Sequence, residues 1–90
     1  MRNSDDLAED VKKGLEAQTL TDSPAFKGAM LSSKASLINR FVDSEYEDSK
    51  GREEVWLRLR AMDDFFQELT DIINSGKLST IDLENRSRDN

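Results

Sequence analysis

Residues 51–77, GREEVWLRLRAMDDFFQELTDIINSGK, contain the most regular apolar pattern in the chain. Large apolar residues recur there at alternating spacings of four and three positions, at Val55, Leu59, Met62, Phe66, Leu69 and Ile73. This heptad seam places one apolar stripe along an α-helix that packs against another helix. Four more apolar residues widen it: Trp56, Leu57, Phe65 and Ile72. The pattern predicts a long helix over about residues 52–75, with Ser75-Gly76 as its C-cap.

A second long helix is predicted upstream, over about residues 24–43. Ser23 suits its N-cap, and Pro24 suits its first helical position, where no backbone N–H is needed. The helix carries two adjacent apolar stripes, one with Phe26, Met30, Leu37 and Phe41, and the other with Leu31, Ala35, Ile38 and Val42. So broad an apolar face needs two neighbours.

The first segment shows only a thin apolar stripe, formed by Leu7, Val11 and Leu15. It predicts a shorter helix over about residues 5–20, with Ser4 as its N-cap and the lowest stability of the three. Residues 79–90 are expected to form a short, partly disordered tail, because they end in a polar run.

The predicted fold is all-α. An acidic connector between the two long helices is short, so these helices should lie antiparallel as a hairpin. With the N-terminal helix covering part of the open side, they form a single three-helix, bundle-like domain over residues 1–78. Because a small bundle of this kind has few apolar residues for its surface, we also expect it to be oligomeric.

The composition restricts the chemistry that the chain could perform. It has 90 residues, no cysteine and no histidine, so thiolate catalysis, disulfides and imidazole acid–base chemistry are excluded. The net charge of -6 disfavours tight binding to nucleic acid. We therefore predict that the protein is not an enzyme, has no cofactor and has no catalytic residue.

Two clusters of charged residues are candidates for a metal site and for a nucleic-acid surface. Asp43, Glu45, Glu47 and Glu54 have the spacing of calcium ligands in an EF-hand loop, but Asp48 stands where that loop needs glycine. A solvated acidic turn is therefore favoured, and no metal site is predicted. The basic residues Arg52, Arg58 and Arg60 alternate with acids, which favours ion pairs along a helix over a nucleic-acid surface.

No apolar run reaches the roughly 20 residues that a membrane-spanning helix needs, and the N-terminal segment is acidic. We therefore expect a cytoplasmic protein without a membrane partner.

Several short motifs occur in a characteristic order. They are Asp22-Ser23-Pro24-Ala25-Phe26, then GREEVWL at residues 51–57, then Ala61-Met62, Leu69, Ile73 and Gly76-Lys77-Leu78. Over about residues 20–80 the chain thus resembles small helical accessory proteins of tailed bacteriophages and prophages, from the head-assembly or DNA-packaging gene region. The resemblance implies an accessory role in the virion or its assembly, and a location in the host cytoplasm or in the virion.

We predict a non-enzymatic virion-assembly or structural accessory protein that acts through helix–helix contacts. Its expected partners are a second copy of itself, larger phage structural proteins, or both. The residues expected to make these contacts are Phe26, Met30, Leu37, Phe41, Val55, Trp56, Leu59, Met62, Phe65, Phe66, Leu69 and Ile73. The heptad seam should carry both folding and self-association. The alternatives are an acidic protein-binding regulator or inhibitor of the antitoxin kind, and a DNA-packaging component.

Overall fold

The computed structural model describes residues 2–88. Over this range the chain forms three α-helices and no β-strand: α1 (Ser4–Asp22), α2 (Pro24–Val42) and α3 (Ser49–Arg88). The predicted all-α class is confirmed. None of these helices is both long and apolar enough to cross a membrane.

Helix α2 begins as the sequence predicts. The side chain of Ser23 accepts a hydrogen bond from the backbone N–H of Phe26 at 3.4 Å, and Pro24 occupies the first helical turn. At the other end, the backbone N–H of Asp43 donates to the carbonyl of Asn39 at 2.9 Å. A hydroxyl cap followed by proline thus fixes this helix start locally.

Helix α1 begins one residue earlier than predicted, at Ser4, and is capped by a different residue. The Asn3 side chain accepts a hydrogen bond from the backbone N–H of Asp6 at 2.9 Å. Asparagine and serine are about equally good N-caps, so the residue types alone do not determine which of the two caps α1.

Helix α3 begins at Ser49, inside the stretch predicted as connector. Asp48 caps it, because its carboxylate accepts the backbone N–H of Gly51 at 2.9 Å. Arg52 then folds the connector back onto the helix by donating to the carbonyl oxygens of Glu45 at 2.6 Å and Tyr46 at 2.8 Å.

The predicted end of this helix at residue 75 is wrong. Helix α3 continues through Gly76 and through most of the predicted tail to Arg88, and within residues 2–88 no glycine has a positive φ. Gly76 is therefore a helical residue and not a C-cap. Residues 89 and 90 of the predicted tail lie outside the described residues.

The chain divides into two compact units. Unit 1 combines α1 with the part of α3 from Gln67 onward, and unit 2 is Ser23–Phe66. Residues 79–88 belong to the first of these units, and the single domain over residues 1–78 stays a prediction.

In unit 1, the two helix segments meet at a pair of glycines. A Cβ built on Gly14 would lie 3.0 Å from the Cα of Gly76, and a Cβ built on Gly76 would lie 3.0 Å from the Cα of Gly14. The buried residues are Leu7, Gly14, Ala17, Leu69, Gly76 and Ser79. The predicted α1 stripe is therefore corrected, because Leu15 is exposed and the small residues Gly14 and Ala17 are buried in its place.

In unit 2, contacts pair the two helix segments in opposite chain order. The rings of Phe26 and Phe66 lie 5.9 Å apart, and the Lys34 ammonium lies 3.3 Å from the Asp63 carboxylate. The core of this unit contains Leu37 and Val55, and Val55 is only 2% exposed.

Candidate protein interaction surface

The structure separates the predicted interaction residues into two groups. All six residues of the heptad seam are buried or half-buried, as are Phe26, Met30 and Leu37 of α2. Phe41, Trp56 and Phe65 are exposed, and Trp56 has 60% of its surface open to solvent. The seam thus packs inside the two units, and the surface available to a partner consists of the residues beside it.

Trp56 and Phe41 lie together at an apolar groove of unit 2. The groove has a volume of about 210 Å³ and is lined by Ile38, Phe41, Val55, Trp56 and Leu59. A large aromatic side chain at the edge of such a groove is the type of residue that contributes most to protein–protein contacts.

An exposed apolar stripe on α2 adjoins this groove. The outer stripe consists of Leu31, Ala35, Ile38 and Val42, all of them exposed. Leu31 and Val42 are each 71% exposed, and Ile38, at 51%, also lines the Trp56 groove. The outer stripe was visible in the sequence as the second apolar stripe of this helix, although the predicted interaction residues did not include it.

A second groove of unit 2 is lined mainly by small and polar residues. It measures about 590 Å³ and is bordered by Ser32, Ser33, Ser36, Leu37, Arg40, Arg58, Ala61 and Met62. Glu54 accepts from Arg58 at 2.7 Å and lies 3.8 Å from Arg40. The two guanidinium groups at this groove therefore share one carboxylate.

The predicted ion pairs along α3 are present for two of the three arginines. Arg58 pairs with Glu54, and Arg60 lies 3.5 Å from Asp64, in both cases across one helical turn. Arg52 differs, because its partners are the connector carbonyls and the hydroxyl of Ser44. Exposed pairs of this kind contribute little stability, about 0.3 to 0.5 kcal/mol each.

The acidic connector forms a turn around Asp48 and Arg52. Asp48 uses one carboxylate oxygen to cap α3, and Arg52 occupies two carbonyl oxygens of the connector. Within residues 2–88 no three acidic side chains come together in a way that could hold a metal ion.

A polar cluster connects the N-terminal half of α1 with the C-terminal part of α3 in unit 1. Asp10 accepts hydrogen bonds from Arg2 and from Ser79, the latter at 3.3 Å. Arg86 donates to the backbone carbonyl of Arg2 at 2.7 Å and approaches the hydroxyl of Ser4 at 3.4 Å. The cluster is not evident from the sequence pattern, because Arg86 and Ser79 belong to the stretch predicted as a tail.

The Asp10 carboxyl is expected to make unit 1 less stable in acid. The hydrogen bond from Arg2 lowers the pKa of Asp10, and the Ser79 hydroxyl adds to the effect. The folded chain thus stabilises the ionised form of Asp10 relative to the unfolded chain. This contribution to the free energy of unfolding is complete well above pH 4. It is lost as the pH falls through the lowered pKa of Asp10.

Replacing Asp10 with asparagine is therefore expected to make the free energy of unfolding depend less on pH in the acidic range. The free energy of unfolding of Asp10→Asn should fall less than that of the unchanged protein between neutral and strongly acidic pH. Urea unfolding at a series of pH values measures this, and Glu9→Gln, at the neighbouring exposed position, is the control. If the free energy of unfolding falls equally with pH in the unchanged protein and in Asp10→Asn, Asp10 does not contribute to the acid sensitivity.

No family model, no curated protein and no solved structure matches this chain.

Proposed function

We propose that this chain is a non-enzymatic helical protein that assists the assembly or structure of a phage virion through helix–helix contacts. The helix–helix contacts are supported by the exposed apolar surface of unit 2, where the outer stripe meets the groove of Trp56 and Phe41. Exposed apolar residues that adjoin in this way are typical of surfaces that bind another protein. The role in a virion rests on the resemblance over residues 20–80.

The proposed working form is an oligomer in which α2 and the first half of α3 form a hairpin. The reverse-order contacts of unit 2, such as that between the rings of Phe26 and Phe66, support the hairpin. The exposed apolar residues support the oligomer, because association removes them from water. Its partners would be a second copy, larger phage structural proteins, or both, in the host cytoplasm or in the virion.

A second candidate is an acidic regulator or inhibitor that binds one partner protein. The connector favours it, because Asp43, Glu45, Glu47 and Asp48 flank Tyr46 in the sequence and the Tyr46 side chain is exposed. A partner for this segment would present a basic surface. Neighbouring genes discriminate between the two candidates, since portal and packaging genes favour an assembly role and a toxin or defence gene favours an inhibitor.

Self-association is tested by the dependence of stability on protein concentration. The melting temperature is expected to rise from low to high micromolar concentration, because association stabilises the folded chain. Trp56→Ala should weaken association more than it lowers helix content, as measured by sedimentation velocity and circular dichroism. Phe65→Ala, which removes another exposed aromatic ring of unit 2 that does not line the Trp56 groove, is the control. A monomer with a constant melting temperature would exclude self-association and leave larger phage proteins as the proposed partners.

A further inference from the structure

We infer that the outer stripe of α2 binds a second copy of this chain, with the two α2 helices antiparallel across a twofold axis. The inference rests on the self-association in the proposed function and adds the surface, the partner and the orientation. It assigns the contact to exposed residues of α2, whereas the sequence alone assigns it to the heptad seam.

The area of this surface suits a dimer. Leu31, Ile38 and Val42 lie on one side of α2, and Phe41 and Trp56 extend that side across the adjoining groove. With about half or more of each of these residues exposed, from 49% for Phe41 to 71% for Leu31 and Val42, the surface presents on the order of 500 Å² of apolar area. A standard interface buries about 800 Å² per partner, of which somewhat more than half is apolar. The outer stripe and the groove therefore supply the apolar part of one such interface.

The arrangement of the stripe matches a twofold contact. In an isologous dimer each residue meets the residue at the same distance on the other side of the midpoint. The midpoint of the outer stripe lies between residues 36 and 37, so Leu31 would face the partner's Val42 and Ala35 would face the partner's Ile38. A small residue opposite a large one lets the two helices interdigitate.

The charges of the chain favour the antiparallel orientation. Helix α2 contains Lys27, Lys34 and Arg40 and no acidic residue, although the whole chain has a net charge of -6. Lys27 and the acidic connector of residues 43–48 lie beyond opposite ends of the outer stripe. In an antiparallel pair each Lys27 comes beside the partner's connector, whereas a parallel pair would bring the two connectors together.

The surface is tested by charging one residue at its centre. Ile38→Asp should weaken the dimer by about 100-fold or more, because the substitution occurs twice in a symmetric interface and removes a large apolar side chain from each copy. Ile38 is about half exposed, so its replacement should leave the helix content unchanged. Leu57→Asp is the matched control, because Leu57 is 54% exposed on α3 and lines neither the Trp56 groove nor the groove bordered by Ser32, Ser33 and Ser36. Sedimentation equilibrium measures the dissociation constant of both variants.

The orientation is tested with spin labels on this cysteine-free chain. Gly28 can carry the label, because an added Cβ there has no neighbouring atom within 4 Å. In an antiparallel pair the labels of Gly28→Cys should lie about 25 Å apart along the helices, since each is eight to nine residues from the midpoint. In a parallel pair they should lie within about 10 Å of each other. Double electron–electron resonance measures the longer distance, and dipolar broadening of the continuous-wave spectrum reports the shorter one.

Each outcome decides a different point. A weakened Ile38→Asp dimer with the long label distance supports the whole inference, whereas a short distance overturns the orientation. If the chain self-associates and Ile38→Asp associates as tightly as Leu57→Asp, the outer stripe is not the interface, while the proposed self-association holds. If the unchanged chain is a monomer at high micromolar concentration, both the dimer and the self-association are excluded.

Discussion

Gly76→Leu is expected to separate α1 from α3 and to lower the free energy of unfolding of unit 1 by about 3 kcal/mol, at the upper end of the usual cost of overpacking. Even a Cβ at this position would lie 3.0 Å from the carbonyl oxygen of Asp10 and from the Cα of Gly14. Both are backbone atoms, so relief requires movement of a whole helix. The helix propensity gained by replacing glycine, about 0.8 to 1 kcal/mol, is too small to offset this.

Gly28 supplies the matched control for this prediction. It is also a helical glycine, but an added Cβ would meet no atom within 4 Å. Gly28→Ala should therefore raise the free energy of unfolding by roughly 0.5 to 1 kcal/mol, because only the propensity changes.

Urea unfolding gives the size of the effect, and amide hydrogen exchange shows whether α1 alone loses protection. Gly76→Ala should fall between the unchanged protein and Gly76→Leu. A Gly76→Leu variant as stable as the unchanged protein would show that the two helices are free to move apart and that the close contact with Gly14 is not needed.

The residue Gly76 also shows what the sequence could not reveal. A glycine after a periodic apolar run is the usual end of a helix, so it predicts a C-cap. The same glycine also allows two helices to approach closely, and this use depends on Gly14, which is distant in the sequence. The spacing of the seam offered a signal, because Ile73, Gly76, Thr80 and Leu83 continue its alternation of three and four positions.

The sequence predicted those features that depend on residues within one helical turn of each other. The Ser23 cap and Pro24 set the start of α2, since both act within one turn of the helix. The salt bridge between Glu54 and Arg58 followed from their separation of one helical turn. The acidic connector, in contrast, is shaped by Arg52, and nothing in its spacing shows that an arginine will bind the carbonyls behind it.

The candidate surface was predicted only in part, for a related reason. Periodicity shows that α2 has two apolar stripes, but it does not show which one faces α3. The structure places Leu37 inside and leaves Leu31 and Val42 exposed. The heptad pattern puts Trp56 beside the seam, and the structure leaves 60% of its surface exposed.

Phe66→Ala is expected to lower the free energy of unfolding of unit 2 by about 3 kcal/mol, at the lower end of the range for buried phenylalanines, because Phe66 is half-buried. Its ring lies 5.9 Å from that of Phe26 at a tilt of 52°, and the Lys34 ammonium lies 6.0 Å from its centre. Truncation removes the ring from both contacts. A small helical domain has a total stability of about 5 to 15 kcal/mol, so this loss is a large fraction of it.

The adjacent Phe65 makes this prediction specific. Phe65→Ala deletes the same atoms from the same helix, but Phe65 is 49% exposed and lies outside the seam. Its loss should cost about 1 kcal/mol, less than the loss of Phe66, because about half of the surface of Phe65 is already open to solvent. Because both substitutions change helix propensity equally, the difference between them isolates the packing of the seam. If the two variants unfold at the same urea concentration, the heptad pattern does not determine which phenylalanine belongs to the core. Phe66 would then have to be regarded as a surface residue, and the predicted order of burial along α3 would fail with it.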